Sequence, residues 1–174
     1  MPSESDAATT NLPPQTYEGV FTMAVSCDID APIETVWDIL TDFPKYGECQ
    51  QITDAARRPL ADQTPAAGQH LLMHVHILPT LDDARAKRTA TFERILACDP
   101  AARRLAWAVL LPAWFLRAER WQALSALGGG TRYESREVFA GPGAYLIRMM
   151  MRRGLQESFD AMADALKARA EGQH

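Results

Sequence analysis

The sequence lacks most of the features that mark specialised classes of protein. Its 174 residues contain three cysteines, Cys27, Cys49 and Cys98, and none forms a C-x-x-C pair, which argues against a disulfide scaffold or a Cys-based zinc site. Basic residues are not in excess, since 18 Lys and Arg stand against 22 Asp and Glu. Nucleic acid is therefore not an expected partner, because its binding depends on clustered positive charge. The longest apolar runs, such as residues 105–116, are short and contain Pro112, so we expect no transmembrane segment.

The amino terminus also lacks the apolar segment that a secretory signal requires. Residues 1–16 are rich in Ser, Asp, Ala, Thr and Pro without an apolar period, which predicts a mobile tail. Residues 17–171 are then expected to form a single domain, because the length fits one domain and 47% hydrophobic residues supply a full core. With no signal and an odd number of cysteines, we expect a cytoplasmic protein.

Two periodicities in the hydrophobic pattern predict the fold. Residues 19–29 alternate between apolar and polar side chains, as a half-buried strand does, and Pro32 then begins a stripe at helical spacing. Between residues 52 and 140, apolar stretches are separated by turn signals such as Gly128–Gly130, which is typical of an antiparallel meander. From residue 144 to about residue 170 the pattern predicts one amphipathic helix. The result is an α+β protein whose long helix packs across the concave face of a curved sheet.

Four segments also carry a resemblance to a known family. They are residues 29–46 (IDAPIETVWDILTDFPKY), 105–107 (LAW), 129–133 (GGTRY) and 136–141 (REVFAG). In this order and at these separations they resemble the SRPBCC superfamily, which groups START-like lipid-binding domains with polyketide cyclases/dehydrases. The resemblance covers about residues 19–169 and implies a helix-grip fold. In that fold a seven-stranded antiparallel sheet wraps around the C-terminal helix, two short helices follow the first strand, and a deep apolar cavity lies inside. At residues 47–51 the chain departs from the family, which often has Trp-Asn-Pro there.

The last predicted strand supplies candidate catalytic residues. Its charged face is expected in solvent, so Tyr133 and Glu137 point inward, and the same reasoning places Glu119 inside beside Trp121 on the preceding strand. A buried carboxyl could orient a ligand or act as a general acid or base with a raised pKa. Alternatively, Glu137 forms a structural ion pair with an arginine such as Arg117 at the rim of the cavity. We favour the structural pair.

Two further patterns suggest chemistry but have simpler explanations. His70, His74 and His76 share one face of a predicted strand, but it is the solvent face, since the alternate positions are apolar, so we expect no metal site. Gly128–Gly130 lacks the Lys-Ser/Thr of a phosphate-binding loop and is predicted to be a hairpin turn. No cofactor is expected.

A run of methionines and arginines near the start of the C-terminal helix has two interpretations. Met149–Met151, flanked by Arg148, Arg152 and Arg153, could form a basic amphipathic patch that faces a membrane. Flexible thioethers also suit an irregular cavity wall, which is the interpretation we favour.

The combined prediction is a binding module for a hydrophobic or amphipathic small molecule, such as a lipid, an isoprenoid or an aromatic polyketide. Burial of the ligand's apolar surface would drive binding. The predicted lining residues are Trp37, Phe92, Trp107, Trp121, Tyr133, Glu137, Phe139, Met151, Leu155 and Phe159. One alternative is a cyclase/dehydratase-type enzyme in which Glu137 or Tyr133 moves protons, and another is an interaction protein whose exposed apolar helix pairs with a partner. A homodimer also stays open.

Overall fold

An antiparallel sheet forms the frame of the molecule, which was analysed as a computed structural model describing residues 10–45, 50–77 and 87–172. Within these residues the seven strands are β1 (Phe21–Ile29), β2 (Gln50–Thr53), β3 (His70–Ile77), β4 (Lys87–Asp99), β5 (Arg104–Val109), β6 (Arg117–Leu127) and β7 (Gly130–Ala140). Their spatial order is β1-β7-β6-β5-β4-β3-β2, and every pairing is antiparallel. Strands β2 to β7 thus form the predicted meander, and β1 extends it beside β7.

In the described residues, three helices accompany the sheet: α1 (Ile33–Thr41), α2 (Pro142–Met150) and α3 (Arg152–Ala170). Pro32 stands immediately before α1, as the sequence predicts, and a single 3₁₀ turn over residues 43–45 follows it. The prediction of one continuous helix from residue 144 is wrong, because the backbone of Met151 (φ −128°) separates α2 from α3. The two helices can therefore pack against different parts of the sheet.

The inner face of the sheet is covered by α3, which contacts β1 most extensively. Ala163 and Leu166 of α3 belong to one core cluster with Tyr133, Trp107 and Phe43. A second cluster surrounds the stacked rings of Phe21 and Phe139, whose centroids are 4.5 Å apart, and it includes Phe159 of α3. This sheet wrapped around a long C-terminal helix is the helix-grip arrangement, so the predicted α+β fold is confirmed.

The described part of the amino-terminal segment, which begins at residue 10, is held against the sheet, so the prediction of a mobile tail is wrong there. The amide Nδ2 of Asn11 donates to the backbone oxygens of Ala102 and Leu124, both at 2.8 Å, and Arg104 donates back to Asn11. Residues around Asn11 are therefore fixed to the sheet by hydrogen bonds that no sequence period reveals. Residues 1–9 of the predicted tail lie outside the described residues, as do residues 47–49 of the departure from the family pattern.

Candidate ligand-binding site

A small pocket lies between the inner face of the sheet and the helices α1 and α3. It is lined by Leu40, Gln50, Trp107, Gln122 and Met162, and about 10 Å³ inside it is open to the centre of a water molecule, which is roughly the space that one water needs. Three of these five side chains are apolar, and one of them is a large aromatic ring. The pocket therefore suits a largely apolar group that also carries a polar atom.

Gln122 is the polar side chain best placed to select what enters this pocket. It lies on the inner face of β6 and is fully buried. The phenol of Tyr133 donates to Gln122 Oε1 at 2.7 Å, which fixes the amide. Gln122 Nε2 has no hydrogen-bond partner among the described residues. An unsatisfied buried donor costs about 1–3 kcal/mol, so this nitrogen is an unused hydrogen-bond donor on a residue that lines the pocket.

A buried guanidinium lies beside the pocket. Arg120 precedes Gln122 by two positions and faces the same side of β6, where its Nε donates to Ser135 Oγ at 3.0 Å. Its guanidinium lies 3.9 Å from the centroid of the Phe159 ring and 3.7 Å from the sulfur of Met162. Because Met162 also lines the pocket, its flexible thioether contacts both the pocket and a fixed positive charge.

Two carboxyl groups share the interior with Arg120. Glu137 stands opposite Arg120 in the β6–β7 register, and burial raises its pKa to about 7 although the charge of Arg120 opposes the shift. Burial and the neighbouring Glu137 together raise the pKa of Glu93 to about 8, against a hydrogen bond from Thr91 Oγ1 at 3.0 Å. Within the described parts of the chain, neither carboxylate forms a salt bridge with Arg120. The net charge of this interior cluster therefore changes near neutral pH.

Most of the predicted β7 face and several aromatic residues do lie inside. Tyr133 and Phe139 are buried on the inner face, and Glu137 lies on the same face with partial exposure. Burial raises the pKa of Tyr133, and the charge of Arg120 is the main effect that opposes this rise. Trp107 lines the pocket and Phe159 covers Arg120.

Of the predicted lining residues, Trp107 is the one that borders the pocket within the described part of the chain. Trp37 is buried in the first core cluster, and the guanidinium of Arg103 lies 5.8 Å from the centroid of its ring. Leu155 packs partly buried against the second cluster, and Met151 lies half-buried at the α2–α3 junction. None of these three side chains borders the pocket described above.

The inward placement of Glu119 and Trp121 is wrong. Both lie on the outer face of β6, where Trp121 Nε1 donates to Glu119 Oε1 at 2.6 Å. Trp121 stands opposite Arg136 of β7 in the strand register. Arg117 shares this outer face and lies 3.8 Å from the ring of Tyr17, so it is not the ion-pair partner proposed for Glu137. The interior residues of β6 that sequence reasoning missed are the alternate ones, Arg120 and Gln122.

Phe92 is also misplaced by the sequence prediction. It lies on the outer face of β4, where its ring stacks on the ring of His70 with the centroids 5.2 Å apart. The guanidinium of Arg57 lies 4.9 Å from the centroid of the Phe92 ring. The interior residue of this strand is its neighbour Glu93, which sequence reasoning also missed. Among the described residues, no three His, Cys, Asp or Glu side chains are grouped so as to hold a metal ion.

A curved antiparallel sheet that grips a C-terminal helix over an apolar pocket defines the helix-grip class of ligand-binding domains. The chain belongs to the polyketide cyclase/dehydrase and lipid transport family, whose model matches residues 20–171. No helix in the described parts of the chain has the length and apolar character needed to cross a membrane. No curated protein matches the sequence significantly.

Solved structures share the fold at low sequence identity. The crystal structure of the hypothetical protein jhp0584 from Helicobacter pylori has a TM-score of 0.68 at 12% identity, covering 94% of this chain and 100% of that one. The Aha1 dimer from Colwellia psychrerythraea has a TM-score of 0.58 at 10% identity, covering 87% and 97%. A START superfamily protein from Mycobacterium smegmatis has a TM-score of 0.50 at 15% identity, covering 83% and 98%. At these identities the likeness establishes the fold.

Proposed function

We propose that the protein binds a small amphipathic molecule whose hydrogen-bond acceptor, such as a carbonyl or carboxylate oxygen, meets Gln122 Nε2 in the pocket. The observation that carries this proposal is the buried Nε2, which has no partner among the described residues and belongs to a side chain that lines a largely apolar pocket. An acceptor placed there would remove the cost of the unsatisfied donor, while Trp107 and Leu40 bury the apolar part. Fatty acids, oxygenated isoprenoids and aromatic polyketides combine an apolar body with such an oxygen.

The size of the pocket limits how such a ligand enters. About 10 Å³ inside it is open to the centre of a water molecule, which is roughly the space of one water and far below the size of a drug-sized ligand. The proposed ligand therefore places only its polar oxygen there unless the lining side chains move. A longer ligand would need Met162 to change rotamer, which its unbranched thioether allows at low cost.

The first test is mass spectrometry of an organic extract of the purified protein. We expect a copurified molecule with an apolar body and at least one carbonyl, carboxyl or hydroxyl oxygen. Replacing Gln122 with Met keeps the approximate shape but removes the donor, and should strongly reduce the amount recovered. The matched control is Gln51→Met, on the outer face of β2, which should leave recovery unchanged. Equal recovery from both variants, or an extract without any such molecule, would contradict the proposal.

A second candidate function is favoured by Glu137. A carboxyl whose pKa is raised to about 7 by burial suits general acid–base catalysis at neutral pH, as the cyclase/dehydratase alternative requires. Tyr133 fits that role less well, because its phenol donates to Gln122 rather than into the pocket. If the copurified molecule is converted to a product, Glu137→Gln should retain binding and lose conversion. Conversion at an unchanged rate would exclude Glu137 as the acid or base.

The expected cytoplasmic location and the homodimer stay predictions. Cys27 and Cys98 are free thiols, which suits a reducing compartment. Cell fractionation tests the location, and light scattering over a concentration series tests the dimer.

A further inference from the structure

The exposed large hydrophobic residues are concentrated in one region of the molecule. Within the described residues there are ten of them, and eight lie either in the β5–β6 loop or on α2. The most exposed are Trp114 at 77%, Met149 at 77% and Met150 at 75%. The eight are Leu110, Leu111, Trp114, Phe115, Tyr145, Leu146, Met149 and Met150. Scattered apolar side chains are normal on a surface, but a concentration of this kind marks an interaction site.

The loop and the helix are packed against each other. The backbone N–H of Gly143 donates to the carbonyl oxygen of Phe115 at 2.8 Å. A Cβ atom at Gly141 would lie 2.7 Å from the same oxygen, so the two backbones meet closely. The loop and α2 therefore form one surface, which we call the α2 patch. This placement also shows that the cavity-wall interpretation is wrong for Met149 and Met150.

The α2 patch is basic although the chain as a whole is acidic. Residues 110–117 and 142–153 contain four arginines and no Asp or Glu, whereas the formal net charge of the chain is −4. Arg117 lies over Tyr17 and 4.0 Å from Glu119, and Arg153 forms a 2.9 Å salt bridge with Glu157. Within the described parts of the chain, Arg148 and Arg152 form no salt bridge. Their charge is available to an anionic partner.

We propose that the α2 patch docks onto an anionic lipid membrane, with Trp114 and the methionines at the headgroup boundary and the arginines against the phosphates. A symmetric contact between two copies would bring the arginines of both copies into one interface, with no carboxylate in either segment to neutralise them. An anionic lipid surface instead provides both an apolar layer and negative charge. Aromatic rings that are apolar on one side and polar at the edge are also favoured at that boundary.

The test is co-sedimentation of the full chain with vesicles of phosphatidylcholine alone and of phosphatidylcholine mixed with phosphatidylglycerol. We expect binding to the mixed vesicles, weak binding to the neutral ones, and loss of binding as salt is raised. Each arginine near an anionic surface contributes about fivefold in affinity, so Arg148→Ser/Arg152→Ser should weaken binding to mixed vesicles about 25-fold. Trp114→Ser/Met149→Ser should weaken binding to both kinds of vesicle.

The matched control is Arg94→Ser/Leu96→Ser, which removes one arginine and one exposed leucine from β4, outside the α2 patch. It should bind like the unmodified chain. The proposal is overturned if the unmodified chain ignores mixed vesicles, if its binding does not depend on salt, or if the control loses as much binding as the patch variants. It is also overturned if the patch variants abolish a dimer and leave vesicle binding intact. The salt series needs no variant, and none of these measurements requires the pocket to hold a ligand.

Discussion

The buried carboxyl of Glu93 should make the protein less stable as the pH rises from 5 to 7. Glu93 is 8% exposed, and burial with the nearby Glu137 raises its pKa from 4.5 to about 8. In this pH range the unfolded chain has lost the proton and the folded chain keeps it. The free energy of unfolding then falls by about 1.4 kcal/mol per pH unit for this one group. Over two pH units the loss is about 3 kcal/mol.

Replacing Glu93 with Gln removes this proton linkage while preserving the shape of the side chain. The amide oxygen of Gln can still accept the hydrogen bond that Thr91 gives to Glu93. Relative to the unmodified protein, the Glu93→Gln variant should therefore gain about 3 kcal/mol between pH 5 and pH 7. Glu137, whose pKa is also raised, contributes a pH dependence that both proteins share.

Urea denaturation followed by circular dichroism at pH 5, 6, 7 and 8 measures this difference. Asp28 and Asp42 have pKa values lowered by hydrogen bonds from Arg132 and Lys45, so they stabilise the fold above pH 3.8 and lose that contribution as the pH falls. Their effect lies below the measured window. Glu18→Gln, at an exposed position before β1, is the control and should show the same pH dependence as the unmodified protein. A difference between Glu93→Gln and the unmodified protein that stays constant from pH 5 to pH 7 would refute the reasoning.

Three further predictions concern stability, all measured by urea denaturation at pH 7. Gly141→Ala forces a side chain into a positive φ of 88° and against the carbonyl oxygen of Phe115. It should therefore lower the free energy of unfolding more than Gly129→Ala, whose Cβ would meet open space at φ 101° and should cost about 1 kcal/mol. Equal losses would disprove the close approach at Gly141. Tyr133→Phe leaves Gln122 Oε1 without its donor and should cost about 1–3 kcal/mol, whereas no loss would mean that the amide finds another partner. Phe159→Ala removes a buried ring from beneath Arg120 and should cost about 3–5 kcal/mol, and a loss below 1 kcal/mol would contradict its core position.

The face of β7 could be predicted from the sequence because its two faces differ clearly in chemistry. Arg132 and Arg136 alternate with Tyr133 and Phe139, and only the second pair belongs in a core. On β6 both faces carry charged residues, so the presence of Trp121 led to the wrong choice. The turn between β6 and β7 indicates which face of β6 points inward. Gly128 and Gly129 both have positive φ, as a two-residue hairpin turn requires, and such a turn sets the register of β6 against β7.

Counting back from that turn predicts the correct interior residues of β6. Tyr133 stands opposite Leu124, and Glu137 stands opposite Arg120. Residues that face each other across a strand pair share one face of the sheet, so an inward Glu137 requires an inward Arg120. Strict alternation could not find Glu93 in the same way. The β4–β5 register shifts between Ile95 and Ala97, and this irregularity changes which alternate residues of β4 face inward.

The two carboxy-terminal helices give one chain both a closed interior and an apolar surface. The longer helix α3 directs Phe159 and Met162 toward Arg120. The shorter helix α2 packs through Gly143 against Phe115 and leaves Met149 and Met150 exposed. Successive residues of an α-helix turn by about 100°, so even one straight helix would hold Met150 on the side opposite Phe159. The exposed methionines therefore follow from their positions along the helix and from where α2 is docked, and not from an incomplete core.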